Sequence, residues 1–180
     1  MNVISDAEFN DIRDIMYART GVNLKPSKKP LVVTRLRKRL QELKLATFSD
    51  YILLLRKPNS KELECFINAI TTNETFFFRH IKQFDFLREA ALPHIVTNKR
   101  AAHKKDVRIW SVPCSTGEEP YSIAMLCKDF FRKYPGWQIT LLASDVNSEV
   151  IATAKNACYG ERSLREMPET FKKLYVQEEH

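Results

Sequence analysis

No stretch of this 180-residue chain approaches the run of about 20 apolar residues that spans a bilayer. Residues 1–10 also lack the basic-then-apolar pattern of a secretion signal. Both absences predict a cytoplasmic protein with no direct membrane insertion. Cys65, Cys114, Cys127 and Cys158 form no C-x-x-C pair, and the four histidines are equally dispersed, so reduced thiols and no metal site are expected. Internal repeats and low-complexity segments are missing too. With 44% apolar and 28% charged residues, the composition excludes a disordered chain, and the length suffices to bury a core without staples.

Positive charge is present in excess, and it is unevenly shared. Residues 1–105 hold 20 Lys and Arg against 11 Asp and Glu, whereas residues 106–180 hold 9 against 11. The first part is therefore expected to meet a polyanion, either nucleic acid or an acidic protein surface. The excess concentrates between Lys25 and Lys44, where eight cations face Glu42 alone, and helical spacing puts Arg35, Lys38 and Arg39 beside an apolar stripe. A solvated surface is the plain alternative; the lopsidedness exceeds what solubility needs and favours an acidic partner.

Helical periodicity dominates the first 70 residues. Ser5-Asp6-Ala7-Glu8 reads as a capping box, followed by Phe9, Ile12, Ile15 and Met16 and closed by Gly21. Ser27 is expected to cap a second helix through Val32, Leu36, Leu40 and Leu43, Thr47 or Ser49 a third that stops near Pro58, and Ser60 a fourth through Leu63, Phe66, Ile67 and Ile70. Thr71 to His80 fits neither period and reads as a linker. A long helix from about Lys82 to Lys99 follows, with a kink expected at Pro93.

From Val107 the pattern becomes strand, helix, strand, helix: Val107–Val112, a helix opening near Pro120, Gln138–Ser144, and Glu149–Ala157. Such a unit argues for a parallel sheet, whose ligand sits at the carboxyl ends of the strands. Those ends are the loop Pro113–Glu119 and Asp145; an acid there can hold ribose hydroxyls, and it can equally cap a helix. Arg79 follows Phe76, Phe77 and Phe78, an aromatic run that suits a core; if buried, its cation would need a carboxylate partner. The fold class is α + α/β: a small N-terminal helical bundle (1–70), a linker and connecting helix (71–105), and the first βαβα part of a Rossmann-like domain (106–180).

Three segments carry a family resemblance. Thr71-Thr72-Asn73-Glu74-Thr75-Phe76-Phe77-Phe78-Arg79 resembles the T-T-N-x-T-x-F-F-R linker of the chemotaxis receptor methyltransferases, the CheR family. Ile109 to Ser122 resembles that family's cofactor loop, and Ala143-Ser144-Asp145-Val146-Asn147 its second-strand terminus. The resemblance implies a class I methyltransferase domain that moves a methyl group from S-adenosylmethionine to glutamate side chains on the acidic helical tails of chemoreceptors, with S-adenosylhomocysteine as product, in sensory adaptation. It implies that Asn73, Thr75 and Arg79 line the cofactor and methyl-transfer site and that Glu119 and the Pro113–Gly117 loop contact the cofactor. It further implies that Asp145 holds the ribose and that the basic helix, through Arg35, Lys38 and Arg39, grips the receptor. Arg79 is the expected catalytic residue, holding a carboxylate of cofactor or substrate. A glutamate with a reference pKa of about 4.3 is already ionised at neutral pH, so no general base is needed and catalysis should rest on alignment and desolvation.

Two features depart from the family. Pro113 stands where glycine or alanine is usual, which removes an N–H and sets φ beside the cofactor. The family also continues with more strands, an inserted β-subdomain and an R-N-x-x-I-Y-F-like segment, none of which occurs in these residues. A truncated, non-catalytic module that binds receptors or another acidic partner is the alternative reading. Nucleic-acid binding is disfavoured, because no groove-reading motif or stacking platform accompanies the charge.

Overall fold

The first helix, α1 (Asp6–Thr20), opens on the expected capping box: the Ser5 hydroxyl accepts from Glu8 N–H while the Glu8 carboxylate accepts from Ser5 N–H at 2.8 Å. It ends where Gly21 takes φ 73°, a left-handed conformation that glycine adopts without a Cβ penalty. Helices α2 (Lys29–Glu42), α3 (Phe48–Arg56) and α4 (Glu62–Ile70) follow. Phe9, Ile12, Met16, Val32, Leu36, Leu40, Tyr51, Phe66 and Ile70 are buried in one core, as helical spacing predicts.

Thr47 caps α3, but the other two caps differ from expectation. Ser27 sits inside a 3-10 turn, Pro26–Lys28, and α2 begins without a side-chain cap. Pro30 lies in its first turn, where a missing N–H costs nothing. Ser60 offers its carbonyl to Leu63 N–H, while its hydroxyl is buried without a hydrogen-bond partner among the described residues.

The computed structural model describes residues 4–178, and the chain divides into two compact units: Met1–Thr72 with Val146–Ser148, and Asn73–Asp145 with Glu149–His180. In the first unit Asn147 donates to Thr71 Oγ1 at 2.7 Å and to the Asn68 carbonyl at 3.3 Å, and Ser148 N–H donates to Asn68 Oδ1. The same unit holds a polar pin. Arg39 presents its fork to Glu62 (Nε to Oε1 2.8 Å, Nη2 to Oε2 2.7 Å), and the Tyr51 hydroxyl donates to Oε1 at 2.8 Å. Burial and then the Glu62 carboxylate push the Tyr51 phenol far above its ordinary range, so it remains a donor.

In the second unit the linker is irregular, with Phe78 at φ 56° and His80 at φ 62°. Phe77 and Phe78 enter the core, as their aromatic character suggests. A helical run then extends through α5 (Ile81–Phe86), a π turn (Leu87–Ala91) and α6 (Leu92–Ala101). The π turn ends two residues before Pro93, which has no N–H to donate and whose ring would clash with the carbonyl four residues earlier in a regular helix. A widened turn thus stands where a simple kink is expected.

Strands β1 (Asp106–Ser111) and β2 (Gln138–Ala143) pair in parallel, with Ser111 beside Ala143 at their carboxyl ends. Between them runs α7 (Glu118–Phe131), and α8 (Ser148–Asn156) follows β2. Two short helices not foreseen from the sequence, α9 (Glu161–Leu164) and α10 (Glu169–Tyr175), complete the described chain. Val107, Met125, Leu126, Phe130, Phe131 and Met167 join Phe77 and Phe78 in the core. The other side of the strand pair carries Trp110 and Leu142, register neighbours that are both exposed.

Candidate functional site

Parallel pairing brings the two strand ends together, and the backbone keeps them together beyond the strands. Ser144 N–H donates to the Ser111 carbonyl at 3.2 Å, and Cys114 N–H to the Ser144 carbonyl at 2.9 Å. The intervening loop passes through a cis Val112–Pro113 bond, with Pro113 exposed. Ser115 then turns at φ 49° and becomes the junction of three distant segments. Its N–H donates to Asp145 Oδ2 at 2.8 Å and its hydroxyl to the Asn73 carbonyl at 3.1 Å. Linker, first loop and second strand end therefore meet at one residue. Its partners Asn73 and Asp145 are half-buried, as is Thr75 two residues along the linker.

Gly117 has a structural reason to be glycine. It sits at φ 99° before α7, and a Cβ there would lie 2.8 Å from both the Ala154 Cβ and the Tyr159 hydroxyl. The space beside Gly117 is filled by protein rather than left as a cradle.

The two acids that follow have different work. Glu119 is exposed and accepts from the Ser111 hydroxyl at 2.7 Å. Glu118 is buried and accepts from the hydroxyls of Thr116 (2.6 Å) and Ser163 (3.0 Å). Its carbonyl accepts from the Ser122 hydroxyl, which itself accepts from Phe78 N–H. Tyr159 adds a bond to the Thr116 carbonyl at 2.7 Å. Glu118 thus ties the loop, the linker and the α9 segment into one network. The family motif draws attention to Glu119 instead; Glu118 stands at the i, i+4, i+7 spacing of Ser122 and Met125, on the face that α7 buries.

Arg79 is exposed, so its cation needs no buried carboxylate. Its Nη1 donates to the Glu74 carbonyl at 3.0 Å, and its guanidinium carbon lies 5.9 Å from the centre of the Phe76 ring. Local contacts hold the side chain in place and leave other donors of the fork available.

On α2 the three cations differ. Arg35 Nη1 donates to the carbonyls of Ile70 and Thr71 at 2.7 and 2.8 Å, closing the end of α4, and Arg39 is committed to Glu62. Lys38 is 80% exposed, with a long 3.9 Å contact to Glu42. Cys114 is buried; desolvation and then the Asp145 charge raise its thiol pKa, which favours the thiol over the thiolate.

A ligand carrying hydroxyls or positive charge fits these residues. Asp145 is held at the strand ends by a backbone N–H, Glu119 stands at the same loop, and backbone from three segments surrounds the junction. Fold and site together define an open α/β ligand-binding domain preceded by a helical one. Residues 73–180 match the family model described as CheR methyltransferase, SAM binding domain, and residues 7–71 match CheR methyltransferase, all-alpha domain. The chain belongs to the CheR methyltransferase family.

Its curated relatives include chemotaxis protein methyltransferase 2 of Vibrio cholerae, 36% identical over 92% of this chain and 57% of the relative. The chemotaxis protein methyltransferases of Borreliella burgdorferi (34% identical, 98% of this chain, 62% of the relative) and Salmonella typhimurium (38%, 96% and 57%) are similar in the same way. This chain spans somewhat under two thirds of the length of these relatives. No helix among the described residues is long and apolar enough to cross a membrane.

Proposed function

We propose that this chain carries the cofactor-binding and receptor-docking parts of a cytoplasmic methyltransferase that esterifies glutamate side chains on the acidic helical tails of chemoreceptors. The carrying observation is the junction at Ser115, which joins the Asn73 linker to Asp145 at the strand ends. S-adenosylmethionine, when bound, supplies an electrophilic methyl group on a sulfonium. In this reading Asp145 accepts from ribose hydroxyls, and Asn73, Thr75, Glu119 and the Pro113–Gly117 loop surround the cofactor. Arg79 orients a carboxylate, and no residue has to remove a proton, because a glutamate of ordinary pKa, about 4.3, is ionised at neutral pH. The family match over 73–180 is to a cofactor domain, which favours an enzyme over a purely docking module.

Calorimetric titration with S-adenosylhomocysteine tests the reading. Asp145→Ala is expected to weaken binding roughly 10- to 100-fold, the worth of hydrogen bonds to a charged group. Because Asp145 also holds Ser115 N–H, Asp145→Asn is the informative companion: its amide oxygen keeps the loop bond and loses the charge. Both variants binding as the parent does would remove Asp145 from the site.

For docking, Arg35, Lys38 and Arg39 form the proposed receptor face, and the internal partners of the two arginines leave Lys38 as its most available charge. Lys38→Glu is expected to weaken binding to a receptor tail several-fold at low salt and to flatten its salt dependence. An unchanged affinity at low salt would mean that this face is merely solvated. Arg39→Glu is the wrong test, since it would set a second carboxylate against Glu62.

A further inference from the structure

Phe76 carries two guanidinium groups. Arg79, three residues on, lies 5.9 Å from the ring centre, and Arg165, from the segment that follows α9, lies 3.9 Å from it. Both distances run to the same centre, so the two guanidinium carbons are within about 10 Å, roughly one Debye length at 0.1 M salt.

The placement of Arg165 is built in rather than incidental. Phe77 N–H donates to the Ser163 carbonyl at 2.9 Å, and the Ser163 hydroxyl donates to buried Glu118. Those two bonds hold the α9 segment against the linker. Arg162 reaches Glu74, the acid within the linker, at 3.8 Å. Among the described residues the polar partner of Arg165 is Glu166, at a long 4.0 Å. A guanidinium stacked on a ring keeps its N–H donors in its own plane, pointing outward from the ring edge. Arg79 likewise spends one donor on the Glu74 carbonyl. Two like charges share one aromatic mount, with donors to spare and two acids nearby: Glu166, at 4.0 Å from Arg165, and Glu74, which Arg162 engages. An anion with two planar oxygens complements that arrangement.

We propose that Arg165 and Arg79 form a two-guanidinium clamp, mounted on Phe76, for the side-chain carboxylate of the acceptor glutamate. The clamp rests on the methyltransferase reading above and extends it to a residue that the sequence motifs do not reach. Arg165 holds the acceptor, while Asp145 and the loop hold the cofactor.

The test uses the full-length protein saturated with S-adenosylhomocysteine and a fluorescein-labelled, alanine-rich helical peptide carrying a Glu-Glu pair, with a Gln-Gln twin. Anisotropy should show Arg165→Gln binding the glutamate peptide about tenfold more weakly, in line with the loss of a charge-assisted hydrogen bond. Arg165→Lys should recover little of it, because an ammonium cannot make the bidentate pair. The glutamine twin should not distinguish parent from variant, and the affinity for S-adenosylhomocysteine should stay the same. Parent-like binding of the glutamate peptide by Arg165→Gln would overturn the clamp. An equal loss for both peptides would do so as well, by exposing a merely structural role. A fall in cofactor affinity with peptide binding intact would overturn it by assigning the carboxylate to the cofactor. If the parent binds no S-adenosylhomocysteine, the methyltransferase reading fails on that result alone, and the same peptide comparison made without cofactor still decides on the clamp.

Discussion

Arg79→Ala is expected to cut methyl transfer from radiolabelled S-adenosylmethionine on the order of 100- to 1000-fold in the full-length protein, while receptor binding falls far less. The magnitude is that of removing one preorganised donor from a reacting centre. The proposed glutamate acceptor sets this requirement. An ionised glutamate needs alignment and not deprotonation, so the most valuable protein group is a cation that holds the carboxylate in line. Arg79 suits that task because its position is set by the Glu74 carbonyl and the Phe76 face, and its exposure leaves it open to a partner. Arg79→Lys should rescue poorly, since a point charge neither stacks nor makes a fork. Circular dichroism should show unchanged helix content, because no buried group depends on the side chain. Near-normal turnover in a folded alanine variant would return Arg79 to an ordinary surface residue.

Glu62→Ala is expected to destabilise the helical unit by about 3 kcal/mol, the lower range for breaking a buried pair. Glu62 is 8% exposed and satisfies two groups at once, the Arg39 fork and the fully buried Tyr51 hydroxyl. Removing it strands the phenol where water has little access and leaves the Arg39 guanidinium with Glu42 alone, and an unmet buried donor costs more than its bond contributes. Glu62→Gln should lose much less, because its amide oxygen still accepts from one of them. Urea unfolding followed by helical signal measures both. Two units need not melt as one, so the midpoint should be read for the helical transition separately. An alanine variant as stable as the parent would show that α2, α3 and α4 are held by apolar packing alone. Tyr51→Phe offers an internal check. It removes the phenol and leaves the Arg39–Glu62 fork, so its cost should be well below that of Glu62→Ala.

The same pin explains why charge counting alone misjudges α2. Eight cations against one acid between Lys25 and Lys44 look like a docking face. Two of the three arginines on α2 nevertheless carry internal duties: Arg35 on the carbonyls of Ile70 and Thr71, Arg39 on Glu62. Their partners are 23 to 36 residues away, beyond the reach of any local pattern. What remains for a partner is less charge than the count implies, and Lys38 shows it most openly.

Sequence alone determined whatever is written in local periodicity and local caps. The Ser5 box, the stripes of α1 to α4, the Thr47 cap and the β1–α7–β2 succession all depend on neighbours within a few residues, and each stands in the structure. The motif residues around Asn73, Ser115 and Asp145 were legible as a set for the same reason: each is a short contiguous string. Tertiary structure decided which members of those strings touch. It drew Ser115 to both Asn73 and Asp145 across 42 and 30 residues, and it packed Gly117 against Ala154 and Tyr159. It buried Glu118 while leaving Glu119 in solvent, and it brought Arg165 onto Phe76. Such contacts follow from how whole elements stack to cover apolar surface, a global condition that no window of the chain contains. A polar side chain acquires its role only once that packing has chosen its surroundings.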